Sequence, residues 1–535
     1  MSDKAETVLV TGAAGTVGDY VVRELLKKGR RVIATDLPGS KFELPKDSPI
    51  EVREGDLTDL AFCVDVVAGA NSVIHTAASI DLRQPAADMV RINVDAVRYL
   101  YEAARARGLR RFVHFSSGSI YQKSRLPIDE TTPFDPSSPY EHTKVEAERY
   151  LWSRPRSGPE IVILRPTMIY GPRAHYLGAK FAMFPPVLGL IFSKIPRVVG
   201  GPRCNWIHAE DVARAAVLVL DEPRAAWEAF NVADDTAVTL GEFIEIATRA
   251  YGLPVGRDVP YPTRLFSAIG PILAQRDMVV DAFSIGLEQI WGYISRRHNL
   301  VPGISATVDR ETFSYATIEV VFDNTKIKRL GFELKYRSLA DGYPEVLRWF
   351  QERRWVPTYR PGEVREWGGS VGFRFEEKLA GTWRRADEAE ARPFRFSFTA
   401  TAANARQFAR DGLLRLDGRV TAGGLADSKP LLGTLDISWR ERRRLAYDFL
   451  FEGNDGKQYR FEGAQNVELL RFLESMTTLP GRILDQNGRE IGQALLRFDL
   501  RNDLLAWVTS FAPVTDGGTK AEAENPAKTP AGATA

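Results

Sequence analysis

Three residues in this chain of 535 have the types and spacing for proton chemistry on an alcohol: Ser117, Tyr140 and Lys144. Tyr140 and Lys144 stand four apart in YEHTK, at the start of a helical pattern, which puts both side chains on one helix face. An ammonium beside a phenol favours the phenolate and brings the tyrosine pKa toward the working pH. Such a phenolate takes a proton from an alcohol as hydride leaves, or returns it in reduction. Ser117 closes the apolar run RFVHFSS (111–117) and is expected to hydrogen-bond the same substrate oxygen. Singly, such a pair is usually helix surface and such a serine a strand terminator. Together, downstream of a nucleotide-binding turn, they read as a catalytic set.

That turn lies in TVLVTGAAGTVG (7–18), where an apolar run leads into Gly12, Gly15, Thr16, Val17 and Gly18. The pattern predicts a buried parallel strand, a tight turn and the first turn of a helix. Glycines there let the backbone approach a pyrophosphate, whose charge rests on the free N–H groups of the helix start. Asp36 closes RRVIATD, about twenty residues on, where a carboxylate binds ribose hydroxyls and repels a 2′-phosphate. The expected cofactor is NAD, in preference to NADP.

The elements that must hold these groups follow from the alternation of short apolar runs with amphipathic helical patterns. IEVREGDLTD (50–59), with Asp56, and NSVIHTAA (71–78) read as further strands, and residues 88–107, with Asn93, as a helix. A Pro/Ser loop enters a helix within 130–151, IVILRPTMIYGP (161–172) forms another strand, and a late helix covers 339–353. The expected class is α/β, a doubly wound parallel sheet with helices on both faces, over residues 1–355 with a substrate lobe at about 173–325. In open parallel sheets ligands sit beyond the C-terminal strand ends, so the catalytic set can converge beside the cofactor. After a linker at 356–369 the texture changes to short alternating segments, with a hairpin signal at Asn454-Asp455-Gly456. This predicts a separate β-rich domain, barrel or sandwich, at 370–512, followed by a disordered tail at 513–535.

The order TGAAGTVG, Asp36, GDL (55–57), HTAA (75–78), Asn93, SS (116–117), YEHTK, RPTMIYGP (165–172) resembles the extended short-chain dehydrogenase/reductase superfamily over residues 5–355. The resemblance implies Tyr140 as acid/base, Lys144 as its ribose-binding partner, Ser117 as the substrate-oxygen donor and Asn93 as a support. It also implies Asp56 and Leu57 at the adenine, Ala77 and Ala78 along the cofactor, and Pro166 and Thr167 near the nicotinamide. VIHTAASID (73–81), NWIHAEDVARA (205–215) and FDNTKIKRLGFELKY (322–336) resemble most the 3β-hydroxysteroid dehydrogenase and sterol-4-carboxylate 3-dehydrogenase branch. That branch implies oxidation of a sterol-like secondary alcohol; a nucleotide-sugar epimerase or dehydratase holding NAD tightly is the alternative. Gln122, after Tyr121, departs from the glycine usual in nucleotide-sugar members. More faintly, GTLDISW…LAYDFLFEGNDGKQYRFEG resembles a β-rich module of cholesterol-oxidase-like flavoproteins. Lipid or partner binding, capping of the substrate site, and a structural role are all open to that domain.

Residues 176–200 stand where a substrate lid is expected and offer mostly apolar side chains. Within them FAMFPPVLGLIFS (181–193), and also the segment 265–294, are open to three roles: lining an apolar pocket, touching a membrane surface or packing in a core. No apolar stretch is long enough to span a bilayer, and the polar start of the chain gives no signal peptide. A net charge of +2 argues against a nucleic-acid partner, and the Arg-rich run 440–444 reads as a solvated strand face. The two cysteines, Cys63 and Cys204, and six scattered histidines provide neither a disulfide framework nor a metal site. A cytoplasmic homodimer, peripheral to a membrane, acting on an apolar small molecule is the expectation.

Overall fold

The computed structural model describes residues 6–45, 48–81, 84–175, 177–263, 277–307, 317–360, 371–438, 444–466, 477–499 and 503–515. The expected linker from 361, the apolar segment at 264–276, residues 440–443 of the Arg-rich run and the tail from 516 lie outside them.

Seven parallel strands form the main sheet: β1 (Thr7–Thr11), β2 (Arg31–Asp36), β3 (Ile50–Glu54), β4 (Ser72–His75), β5 (Arg111–Phe115), β6 (Glu160–Pro166) and β7 (Glu228–Val232). Their order is β7-β6-β5-β4-β1-β2-β3, and the reversal of direction across β1 and β4 is where a doubly wound sheet opens a crevice. Every residue of β1, β4 and β5 is buried, as continuous apolar runs covered on both faces require. Helix α1 (Thr16–Lys27) buries Val21, Val22 and Leu25 against one face, and α2 (Ala96–Ala106) buries Val97, Leu100 and Tyr101 on the other.

Helix α3 (Pro139–Trp152) carries the Tyr–Lys pair, and its start is fixed by a reciprocal cap. The Ser138 hydroxyl accepts from the Glu141 N–H at 3.2 Å, and the Glu141 carboxylate accepts from the Ser138 N–H at 3.1 Å. Pro139 at the first helical position, where no N–H is needed, sharpens the entry. Tyr140 is thereby held in the first turn and Lys144 in the next.

The second domain is an eight-stranded antiparallel barrel running from Val371–Arg385 to Glu490–Arg497. It closes where Ala380 pairs with Arg497 on the last strand, which decides between barrel and sandwich. Alternate residues such as Phe394, Phe396, Phe398, Tyr447, Phe449 and Phe461 fill its interior. The Asn454–Gly456 turn joins two paired strands, Arg444–Glu452 and Gln458–Asn466, as its sequence predicts. A ninth strand, Ala512–Thr515, adds to the first and runs past the expected end of the domain. The helix Leu504–Thr509 packs on the lobe helix Asp277–Arg297, where the Gln289 side chain donates to the Thr509 carbonyl at 3.0 Å. No helix among the described residues is long and apolar enough to cross a membrane.

Candidate active site

Beyond the C-terminal ends of β1, β4, β5 and β6 lies a cavity of about 520 Å³. Gly12, Gly15, Thr16, Val17 and Gly18 line it together with Ala78, Ser117, Tyr140, Lys144, Pro166 and Thr167. The glycine turn is close-packed. Gly12 has φ +65°, and a Cβ there would stand 2.8 Å from the Ala77 backbone nitrogen. A Cβ on Gly18 would fall 2.1 Å from the Gly12 carbonyl oxygen.

Asp36 stands at the end of β2, where its two carboxylate oxygens accept from the Ala14 and Leu37 N–H groups, each at 2.9 Å. It thus ties the glycine turn to the neighbouring strand. Asp56 is exposed and accepts from the Thr58 N–H; Leu57 is half-buried beside Cys63, whose thiol donates to the Leu57 carbonyl. Neither they, nor Asp36, Ala77 or Asn93, lies on the cavity wall. Ala77 meets Gly12 from behind, its N–H donating to Thr11 Oγ1 at 3.3 Å. Asn93 sits 1% exposed in a π-helical turn, Arg91–Asp95, between two α-helical segments. Its amide donates to the Ser79 carbonyl and to Thr143 Oγ1, and accepts from the Ser79 N–H at 2.8 Å. One side chain therefore joins the loop after β4 to helix α3 between Tyr140 and Lys144.

Lys144 is buried and donates from Nζ to the Phe115 carbonyl at 2.9 Å, with Nζ 5.7 Å from the centre of the Tyr140 ring. Burial pushes its pKa down to about 8, opposed by the Glu148 carboxylate one turn along. Glu148 is itself paired with buried Arg165 at 2.6 Å, and Arg165 also donates to the Tyr121 hydroxyl at 2.7 Å. Two stacked histidines, His75 and His114, lie near the lysine. Burial, with the Lys144 charge, pushes His75 down to about 3 and His114 well below its ordinary value, so both stay neutral. Ser117 caps a short turn: its Oγ accepts from the Ser119 N–H at 3.2 Å and shares a 2.9 Å hydrogen bond with Ser119 Oγ.

The expected lid does not line the site. Of residues 177–200, none is on the cavity wall; Phe181, Met183 and Leu190 pack in the core instead. The wall comes from elsewhere: Ile80, Met168, Ile169 and Cys204, and a distant segment, Ile318, Val320 and Phe322. Thr76, Ser116, Ser119, Lys123, His175 and Asn205 are its further polar members among the described residues. Asn205 Oδ1 accepts from the Phe322 N–H at 2.8 Å, and its amide donates to Asp234, whose carboxyl burial pushes up to about 8. Asn205 and Phe322 fall in quoted motifs, but no local spacing shows that they meet.

The glycine cradle, the free N–H groups of α1 and a buried Thr167 hydroxyl with no hydrogen-bond partner among the described residues suit a dinucleotide. The family model "NAD dependent epimerase/dehydratase family" matches residues 8–233. A dTDP-glucose 4,6-dehydratase from Streptomyces niveus is 28% identical over 398 residues, covering 68% of this chain and 99% of its own. Sterol demethylase protein B from Methylococcus capsulatus is 33% identical over 271 residues, 49% of this chain and 80% of its own. A 3 beta-hydroxysteroid dehydrogenase/Delta 5→4-isomerase from Mycobacterium tuberculosis is 33% identical over 262 residues, 46% of this chain and 69% of its own. The chain therefore belongs to the NAD-dependent epimerase/dehydratase family, the extended short-chain dehydrogenase/reductases, and is an NAD-using enzyme.

Proposed function

We propose that the protein oxidises a secondary alcohol, a 3β-hydroxyl, on a sterol-like or other bulky apolar substrate. The observation that carries this reading is the apolar wall beyond Ser117 and Tyr140, built from Ile80, Met168, Ile169, Ile318, Val320 and Phe322. An apolar slot with few polar anchors suits a sterol, whereas a sugar diphosphate calls for clustered arginine and asparagine donors. Two of the relatives carry sterol or steroid names.

In this reading Ser117 Oγ donates to the substrate oxygen and Tyr140 removes its proton. Charged Lys144, fixed by the Phe115 carbonyl, favours the phenolate that does so. Bound NAD supplies the hydride acceptor. Gly12, Gly15, Thr16, Val17 and Gly18 would hold its pyrophosphate, Asp36 and Lys144 its riboses, Asp56 and Leu57 its adenine. Ala77 and Ala78 would run along it, with Pro166 and Thr167 at the nicotinamide and Asn93 bracing the site. Asp36 keeps lone pairs beyond its two backbone bonds and would repel a 2′-phosphate.

A second reading, a nucleotide-sugar epimerase or dehydratase with retained NAD, draws on Lys123 in the cavity and on the full-length match to a dTDP-glucose dehydratase. The test is NADH formation with NAD or NADP across 3β-hydroxysterols, long-chain secondary alcohols and nucleotide sugars. NAD-dependent turnover confined to the apolar alcohols is expected. Conversion of a nucleotide sugar without net NADH, and silence with sterols, would replace the first reading with the second.

A further inference from the structure

A second concavity, of about 800 Å³, shares no residue with the active site and lies where the lobe meets the barrel. It is lined by the end of the helix Phe184–Ile191 and the residues after it, the strand Val255–Pro260, and the barrel helix Ala405–Asp411. Four cations converge on it, Lys194, Arg257, Arg406 and Arg410, and no lining residue among the described ones is acidic. This matters because the whole chain is nearly neutral, at +2, so a groove lined by four cations and no described carboxylate is a local excess of positive charge.

Neighbouring carboxylates are engaged elsewhere. Asp258, beside Arg257, is held by Arg197 through Nε at 2.7 Å and Nη2 at 2.5 Å. Asp411, beside Arg410, accepts from the Gln407 side chain and the Leu413 N–H. Among the described residues Lys194, Arg257 and Arg410 have no carboxylate within ion-pair distance, and all three are exposed. Arg406 is half-buried, donates to the Gly189 carbonyl at 3.5 Å, and burial works against its charge. The rim is apolar: Ile191 and Val259 are each 36% exposed, and half-buried Phe192 also lines the groove. A soluble phosphate needs cations but no exposed apolar rim. A membrane lipid uses both, its headgroup meeting the charges and its glycerol and acyl region the rim.

We infer that this groove seats the headgroup of an anionic phospholipid and docks the enzyme on a membrane surface. The barrel has a part in this, because two of the four cations, Arg406 and Arg410, belong to it. The inference does not rest on the substrate reading.

The test is co-sedimentation of the full chain with vesicles of phosphatidylcholine alone and of phosphatidylcholine mixed with phosphatidylglycerol. Salt-sensitive binding to the anionic vesicles only is expected, weakened about 30-fold in the double variant Arg257→Gln/Arg410→Gln. NAD affinity, unchanged in the same variant, serves as the check that it is folded. Equal binding by variant and native protein, equal binding to both vesicle types, or no sedimentation would overturn the inference. So would binding of free inorganic pyrophosphate, lost in the variant, without binding to vesicles; that result assigns the groove to a soluble phosphate compound.

Discussion

A lysine that is 3% exposed and still carries its charge is unfavourable to the fold, and Lys144 shows how that serves chemistry. Its pKa is 10.5 in the open chain and about 8 in the fold, so between those values the unfolded chain holds a proton that the folded one has released. Stability from this group therefore rises with pH across that window, by on the order of 3 kcal/mol. Replacing it by methionine should remove the dependence. In denaturant unfolding, the stability of Lys144→Met relative to the native protein should fall by that order between pH 8 and 10.5. A pH-independent difference would mean that the lysine is not held charged against burial. Tyr140 gives the complementary experiment. Tyr140→Phe removes only the proton-carrying oxygen, so kcat should fall by about 100-fold or more while the Kd for NAD stays nearly unchanged. An active phenylalanine variant would end the proposed proton path.

At the scale of elements, the site depends on how strand ends and helix starts are tied together. Asn93 makes the most economical tie, joining the Ser79 backbone to Thr143 on α3. Asn93→Ala should lower kcat by about 10-fold with a smaller change in KM for NAD, because it loosens positioning and leaves the glycine cradle whole. An effect on KM alone would place Asn93 in cofactor binding. The glycine turn, Ser117 and the Tyr–Lys pair are legible in the sequence because each depends on spacing within a few residues, which strand and helix geometry convert directly into position. The π-helical turn is not, since a single wide turn leaves the helical pattern of 88–107 intact. The substrate wall is not legible either. Residues 177–200 look like a lid by their composition and pack in the core, whereas Ile318, Val320 and Phe322 reach the cavity only through tertiary pairing, as in the Asn205–Phe322 bond. Alternation announces a β domain after 370, but closure rests on pairing the first strand with the last, which no local pattern encodes.

For the whole molecule, the described residues that line the cavity all fall within 12–322, so the groups proposed for chemistry belong to the parallel-sheet domain and its lobe. The barrel fills its own interior with aromatic side chains and touches the lobe through Gln289–Thr509 and Arg406–Gly189. The arrangement separates where the reaction occurs from where the molecule is placed, and the central claim concerns the first. Family members that keep NAD throughout return the hydride to the same substrate, whereas a dehydrogenase releases it. The direct measurement is therefore to supply a 3β-hydroxysterol bearing deuterium on the carbinol carbon, with NAD, and to follow the label by mass spectrometry. The account predicts one labelled NADH released for each ketone formed. Labelled product with unlabelled cofactor, or no reaction with the sterol while a nucleotide sugar is converted, would contradict it.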